Sequence, residues 1–253
     1  MDNSKIGHHI SEKFNKELED IRNKVLTMGG LVEQQIDQAV KAFTVNDEEL
    51  AEYVIKQDDQ IDALEMMIDQ ECMQILALRQ PAAFDLRLLI TVIKIINELE
   101  RVGDLAERIA KNVLQVSSAA GKNDDYYELQ HIAELVKEML HDALDAFARM
   151  DIDGVTTIMA QDDYVDREYA SIIRQLITHM MEDPRNITRS LDILWTARAL
   201  ERIGDHACNI VAHIIYMVKG EDVRHISQAE LELKFNKRIG DDHSSDALAK
   251  STV

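Results

Sequence analysis

The chain has 253 residues, and its 47 acidic against 28 basic side chains give a formal net charge of −19. A surface this negative repels phosphodiester backbones, which argues against general nucleic-acid binding and leaves a cation or a basic protein face as the natural partner. Only 5% of the residues are aromatic, and there are 2 prolines and 9 glycines, so strong helix formers with few breakers predict long helices around one large or two modest cores.

From residue 10 to 45, Phe14, Leu18, Ile21, Val25, Met28, Val32, Ile36, Ala39, Val40 and Phe43 recur mostly three and four apart, which predicts an amphipathic helix. Gly29-Gly30 inside it marks a bend or a close helix contact. Asn46 or Asp47 is placed to cap a second helix, which opens on Glu48 and Glu49 and runs to about Arg79 through Val54, Ile61, Leu64, Ile68, Ile75 and Leu76. Pro81 breaks it. A third helix, about 83–118, holds Leu88, Leu89, Val92, Ile95, Ile96, Leu99, Val102, Ala106, Ile109 and Val113. The polar stretch that follows reads as a linker, 119–125.

The pattern then starts again. Ala39-Val40-Lys41-Ala42-Phe43 matches Ala143-Leu144-Asp145-Ala146-Phe147 at an offset of 104, and Gln57-Asp58-Asp59-Gln60-Ile61-Asp62 matches Gln161-Asp162-Asp163-Tyr164-Val165-Asp166 at the same offset. Pro184 echoes Pro81, and Leu99-Glu100-Arg101-Val102-Gly103-Asp104 returns as Leu200-Glu201-Arg202-Ile203-Gly204-Asp205 at an offset of 101, so a few residues are lost near the second proline turn. The reading is all-α: two tandem three-helix bundles, 1–118 and 126–220, with antiparallel neighbours because the turns are short. Residues 221–253 lose the periodicity and are expected to form a poorly ordered polar tail.

Within each repeat the acidic residues fall into register. Glu100 and Asp104 are four apart, as are Glu201 and Asp205, Asp58 and Asp62, and Asp162 and Asp166, a spacing that stacks side chains on one helix face. Asp62 lies 19 residues before Pro81 and Glu100 19 after it, while Asp58 and Asp104 lie 23 before and 23 after. Around Pro184, Asp166 and Glu201 stand 18 before and 17 after, and Asp162 and Asp205 stand 22 before and 21 after. Hairpins folded at the prolines bring each set to one height, about 28–35 Å from the turn. Asp58 and Glu100 sit on or beside the apolar stripe, Asp59 and Asp163 off it, and Gly103 and Gly204 permit close approach.

Bare carboxylates grouped in this way either protonate, pair with Arg101, Arg108 or Arg202, or bind metal. All-oxygen ligation favours Mg²⁺, Mn²⁺, Ca²⁺ or oxidised iron. The Glu-x-x-His motifs Glu128–His131 and Glu138–His141 suggest a di-iron bundle enzyme instead, but His141 lies off its helix's apolar stripe, so both histidines are expected at the surface. No serine or cysteine has an evident base and no glycine loop cradles phosphate, which leaves a metal-dependent redox or hydrolytic enzyme as the alternative to a non-enzymatic role. Cys72 and Cys208 show no ligand spacing and are expected reduced and buried. Neither a signal-peptide core nor a run of about 18 apolar residues is present, and a cytoplasmic location is expected.

The two Leu-Glu-Arg-x-Gly-Asp copies, together with Gln80-Pro81-Ala82-Ala83-Phe84-Asp85-Leu86-Arg87 and the segments 141–153 and 216–225, resemble the PhoU family over about residues 8–230. The resemblance implies two three-helix bundles that each carry a carboxylate-bound metal cluster. Glu100, Asp104, Glu201 and Asp205 would be ligands, faced by Asp58, Asp62, Asp162 and Asp166, with Mg, Mn, Fe or Zn as the ion. The family often has Asn four residues after the motif aspartate; Asn209 fits that position, whereas the first repeat has Arg108, a cation that competes with metal. The resemblance further implies a homodimeric negative regulator of the phosphate regulon and of phosphate uptake. Its partners would be the ATPase subunit of the phosphate ABC transporter and a membrane sensor histidine kinase.

Overall fold

The computed structural model describes residues 3–115, 127–224, 226 and 230, with side chains from residue 12 onward. Six helices account for nearly all of this: α1 (Asn3–Val45), α2 (Glu48–Arg79), α3 (Ala83–Gln115), α4 (Tyr127–Arg149), α5 (Val155–Glu182) and α6 (Ile187–Lys219). The linker expected at 119–125 lies outside the described residues.

The turns explain why the helices stop where they do. Asn46 takes a left-handed φ of 54°, and Asp47 then caps α2 by accepting from the Leu50 amide at 2.9 Å. Gln80, at φ 49° and ψ 54°, closes α2 in the left-handed conformation that ends helices, and Pro81 follows. The second hairpin turns differently. Asp183 accepts from the Arg185 amide and starts a single 3-10 turn, Pro184–Asn186, before α6. The residues lost between the repeats come from the helices rather than the turn: Glu100 lies 17 positions after the start of α3, and Glu201 only 14 after the start of α6.

α1, α2 and α3 pack on one another, as do α4, α5 and α6; α3 against α6 and α1 against α4 join the two bundles. The core runs without a break through both, from Leu18 through Leu99 and Leu140 to Met217. Gly29 shows what the glycine pair in α1 does. The helix continues through it, and a Cβ there would lie 2.5 Å from Leu144 Cδ1 of α4, so the close-contact reading holds at this glycine. Gly30 has nothing within 4 Å.

The packed body extends past the expected end of the second repeat. Gly220, at φ 74°, turns the chain, and Val223 is 1% exposed, seated in the core with Ile226 packed beside it. Polar composition hid this, because a single apolar anchor has no periodicity to read. Cys72 is buried as expected, while Cys208 is only half-buried. Among the described residues no helix is long and apolar enough to cross a membrane.

Candidate metal centres

The first centre lies between α2 and α3. Asp58, Asp104 and Glu107 each bring a carboxylate oxygen within 4.8 Å of the others, and this is the one group of three or more potential ligands that converges so closely among the described residues. Asp58 is 8% exposed, and its Oδ1 accepts a 2.9 Å bond from Nε2 of Gln35, a fully buried residue of α1. The backbone of Gly103 presses against this pair: a Cβ there would lie 3.1 Å from Asp58 Oδ1 and 3.2 Å from Gln35 Oε1. Glycine is favoured here by this approach of α3 to α2, not by a special φ.

Asp62 and Glu100 complete the set from positions nearer the solvent. Burial pushes Asp58 up from 3.8 to about 6; the Gln35 bond opposes this, and the charges of Glu107, Asp62 and Asp104 reinforce it. Asp62 and Glu100 are raised too, by burial first and then by Asp104. These mutual influences place Asp58, Asp62, Glu100 and Asp104 around one another, as their register about Pro81 predicts. Two further acids join them. Glu107 is one, currently paired with Lys111. The other is Glu65, raised by burial and by Asp62.

The second centre repeats the plan between α5 and α6. A Cβ on Gly204 would lie 3.2 Å from Asp162 Oδ1. Burial raises Asp162 to about 6, helped by Asp205, Asp166, Glu201 and Asp163. Glu201 and Asp205 are also raised, chiefly by burial. Glu201 is 8% exposed; one oxygen accepts from Arg198, and the other is buried without a hydrogen-bond partner. Cys208 stands where the first repeat has Glu107, with its thiol within hydrogen-bonding reach of Asp162.

Of the arginine pairings weighed as the alternative to metal, Arg101, Arg108 and Arg202 make none with these carboxylates among the described residues; Arg198 makes the one that exists. Asn209 is turned elsewhere. Its amide donates to Glu98 Oε2 of α3 at 3.2 Å, and that oxygen also meets His206 Nδ1 at 2.6 Å. His131 and His141 are exposed, and His141 lies 3.1 Å from Glu33.

An orphaned buried oxygen on Glu201, glycines that open room beside Asp58 and Asp162, and a donor set dominated by carboxylate oxygens all suit a hard cation. A bound ion would offset both the burial, which is the main cause that keeps Asp58 and Asp162 near 6, and the like-charge repulsion that adds to it.

Comparison with known proteins agrees with the doubled geometry. A family model described as the PhoU domain matches twice, over residues 25–113 and 129–214. The chain belongs to the PhoU family. Each PhoU match begins within the first helix of its repeat, or two residues into it, and ends within the third helix, and so contains one complete carboxylate set. A phosphate-specific transport system accessory protein PhoU homolog of Pseudomonas aeruginosa is 48% identical over 236 residues, covering 93% of this chain and 98% of the relative. The phosphate-specific transport system accessory protein PhoU of Escherichia coli is 47% identical over 232 residues, covering 92% and 96%. The crystal structure of PhoU from Pseudomonas aeruginosa superposes with a TM-score of 0.78 at 50% identity, over 82% of this chain and all of that one. That of the phosphate transport system regulatory protein PhoU from Streptococcus pneumoniae superposes with a TM-score of 0.76 at 30% identity, over 83% of this chain and 99% of that one.

Proposed function

We propose that this chain is an accessory protein of a phosphate-specific transport system. In this reading it acts as a negative regulator of phosphate uptake and of the phosphate regulon. It works as a cytoplasmic homodimer between the ATPase subunit of the transporter and a membrane sensor histidine kinase, and it binds metal rather than catalysing a reaction. The near full-length likeness to transport accessory proteins carries the transport assignment, and the two register-matched carboxylate sets support the metal.

Metal ions would be held by Asp58, Asp62, Glu100, Asp104 and Glu107 in the first repeat and by Asp162, Asp166, Glu201 and Asp205 in the second. Bound there, a cation supplies the positive charge that allows two acidic helix faces to sit together. The rest is done by the chain: Gly103 and Gly204 set the helix spacing, Gln35 orients Asp58, and Arg198 holds Glu201 in place.

The regulatory role is tested by expressing the chain in a strain lacking its own accessory protein and reading a phosphate-regulon reporter in phosphate-rich medium. Restored repression supports the assignment, and a reporter left fully active overturns it. Metal binding is tested by elemental analysis of untagged protein purified without chelators. Asp205→Ala is expected to lower the metal content while leaving helicity nearly intact; full occupancy in that variant removes Asp205 from the ligand set. Ferroxidase or phosphatase turnover that disappears in Glu201→Ala would instead establish the enzyme.

A further inference from the structure

The helices that carry the carboxylates also meet each other at the seam between repeats, and there the charge is reversed. On the flank of α3 turned to α6, Lys94, Asn97, Glu98 and Arg101 follow the three- and four-residue spacing of one helix face. Asn209 and His213, four apart on α6, face them. With Ile93 and with Arg224, which follows α6, they line a cavity of about 380 Å³.

Three permanent cations share this cavity on a chain of net charge −19. In the cavity between α1 and α2, by contrast, both cations are neutralised: Lys24 pairs with Glu71, and Arg79 with Glu17. In the seam, Lys94 and Arg101 form no ion pair with any described residue, although Lys94 is near enough to Asp222 to help Arg224 hold that carboxyl below its usual range. Lys94 rests 5.2 Å from the centre of the Tyr216 ring, which fixes the ammonium without cancelling its charge. Arg224 is fixed, and its charge offset, by a forked pair with Asp222, at 3.0 Å and 2.6 Å, so the uncompensated charge of the cavity rests on Lys94 and Arg101.

Glu98 is the sole acid in the lining, and its oxygens are already engaged. His206 and Asn209 bind Oε2, and His213 Nε2 lies 3.7 Å from Oε1. The carboxylate is therefore taken up by side chains of α6, while Arg101 is exposed and Lys94 half-buried at the cavity. A planar guanidinium beside an ammonium is the donor set that recognises a tetrahedral oxyanion.

We propose that this seam cavity binds a phosphate-type oxyanion between Lys94 and Arg101 of α3, with Arg224 closing the site from behind α6. The anion is either free phosphate or the phosphate of a small organic ester, since the cavity has room beyond one phosphate. Its partners come from both repeats, so occupancy ties α3 to the segment that follows α6. The site is separate from the metal centres, and the test must keep the two apart because phosphate also ligates metals.

Isothermal titration of inorganic phosphate, and separately of ATP, into the full-length protein before and after chelator treatment provides that test. Saturable binding that survives chelation and weakens about tenfold or more in Lys94→Gln or Arg101→Gln is expected, because each variant loses charge-assisted hydrogen bonds. Arg101→Lys, which keeps the charge but not the planar fork, should lose less affinity than Arg101→Gln, and circular dichroism of each variant controls for folding. Binding of phosphate alone identifies the free ion as the ligand, and binding of ATP alone identifies an ester. No saturation with either ligand, binding undiminished in the Lys94→Gln/Arg101→Gln double variant, or binding abolished by chelation each overturns the proposal.

Discussion

Asp58 and Asp162 are equivalent residues 104 positions apart, and both are kept from ionising at the usual pH by the helices around them. Their folded pKa values near 6 stand above the ordinary 3.8. Between those values the folded chain holds protons that the unfolded chain has released, so stability declines as pH rises through the window and stays low above it. Chelator-treated protein is therefore expected to become more stable on acidification from about pH 7 to about pH 5, by on the order of 1 kcal/mol per group after allowance for nearby solvent. Urea midpoints at the two pH values measure this, and Asp58→Asn with Asp162→Asn should flatten the response. Gly103 gives a second prediction at this scale. Gly103→Ala places a methyl group 3.1 Å from Asp58 Oδ1, forcing the Gln35–Asp58 pair to shift. The expected loss is about 1–3 kcal/mol in chemical denaturation, the range for overpacked cores.

The same residues show what the sequence could reveal. Eight carboxylates were legible because each occurs twice in register about a proline. Glu65 and Glu107 were not, since Tyr169 and Cys208 stand at their echoes and a search by repetition passes over them. A local signal was available for Glu107, which follows Asp104 by three residues on the same helix. The Glu98–His206–Asn209 contact was illegible for another reason: it joins two repeats, and no spacing within one repeat encodes it.

Individual helices were readable from apolar spacing and from their breakers, down to the Asn46-Asp47 pair from which Asp47 caps α2. The spacing left open what Gly29-Gly30 does, because a bend and a close contact leave the same trace in a sequence. α1 runs on through the pair as one helix, and Leu144 fills the space beside Gly29 while Gly30 faces solvent. Opposite outcomes follow from adjacent positions. Gly30→Ala is expected to stabilise by about 0.5–1 kcal/mol, since alanine loses less backbone freedom on entering a helix. Gly29→Ala meets Leu144 Cδ1 at 2.5 Å and should cancel or reverse that gain. Thermal midpoints of the two variants, measured side by side, decide it.

In the whole molecule the two repeats are joined by polar bonds as well as by core. Arg22 donates to the Ala148 carbonyl, Arg87 Nε to the Met217 carbonyl at 3.0 Å, and Lys137 pairs with Asp37 at 2.8 Å. α3 and α6 each present carboxylates to a partner helix of their own repeat and present other side chains to each other. α3 takes part in both contacts, so the carboxylate set of the first repeat and the seam between the repeats share one helix.

Val223 carries one further consequence. A premature stop codon just after Gly220 would leave all six helices written in the gene, yet it would strip a side chain that is 1% exposed from the core and delete Arg224 with it. Losing one buried valine is worth about 1.5–3 kcal/mol. The shortened product should melt earlier in a calorimetric scan, and restoring the codons through Ile226 should recover most of the difference.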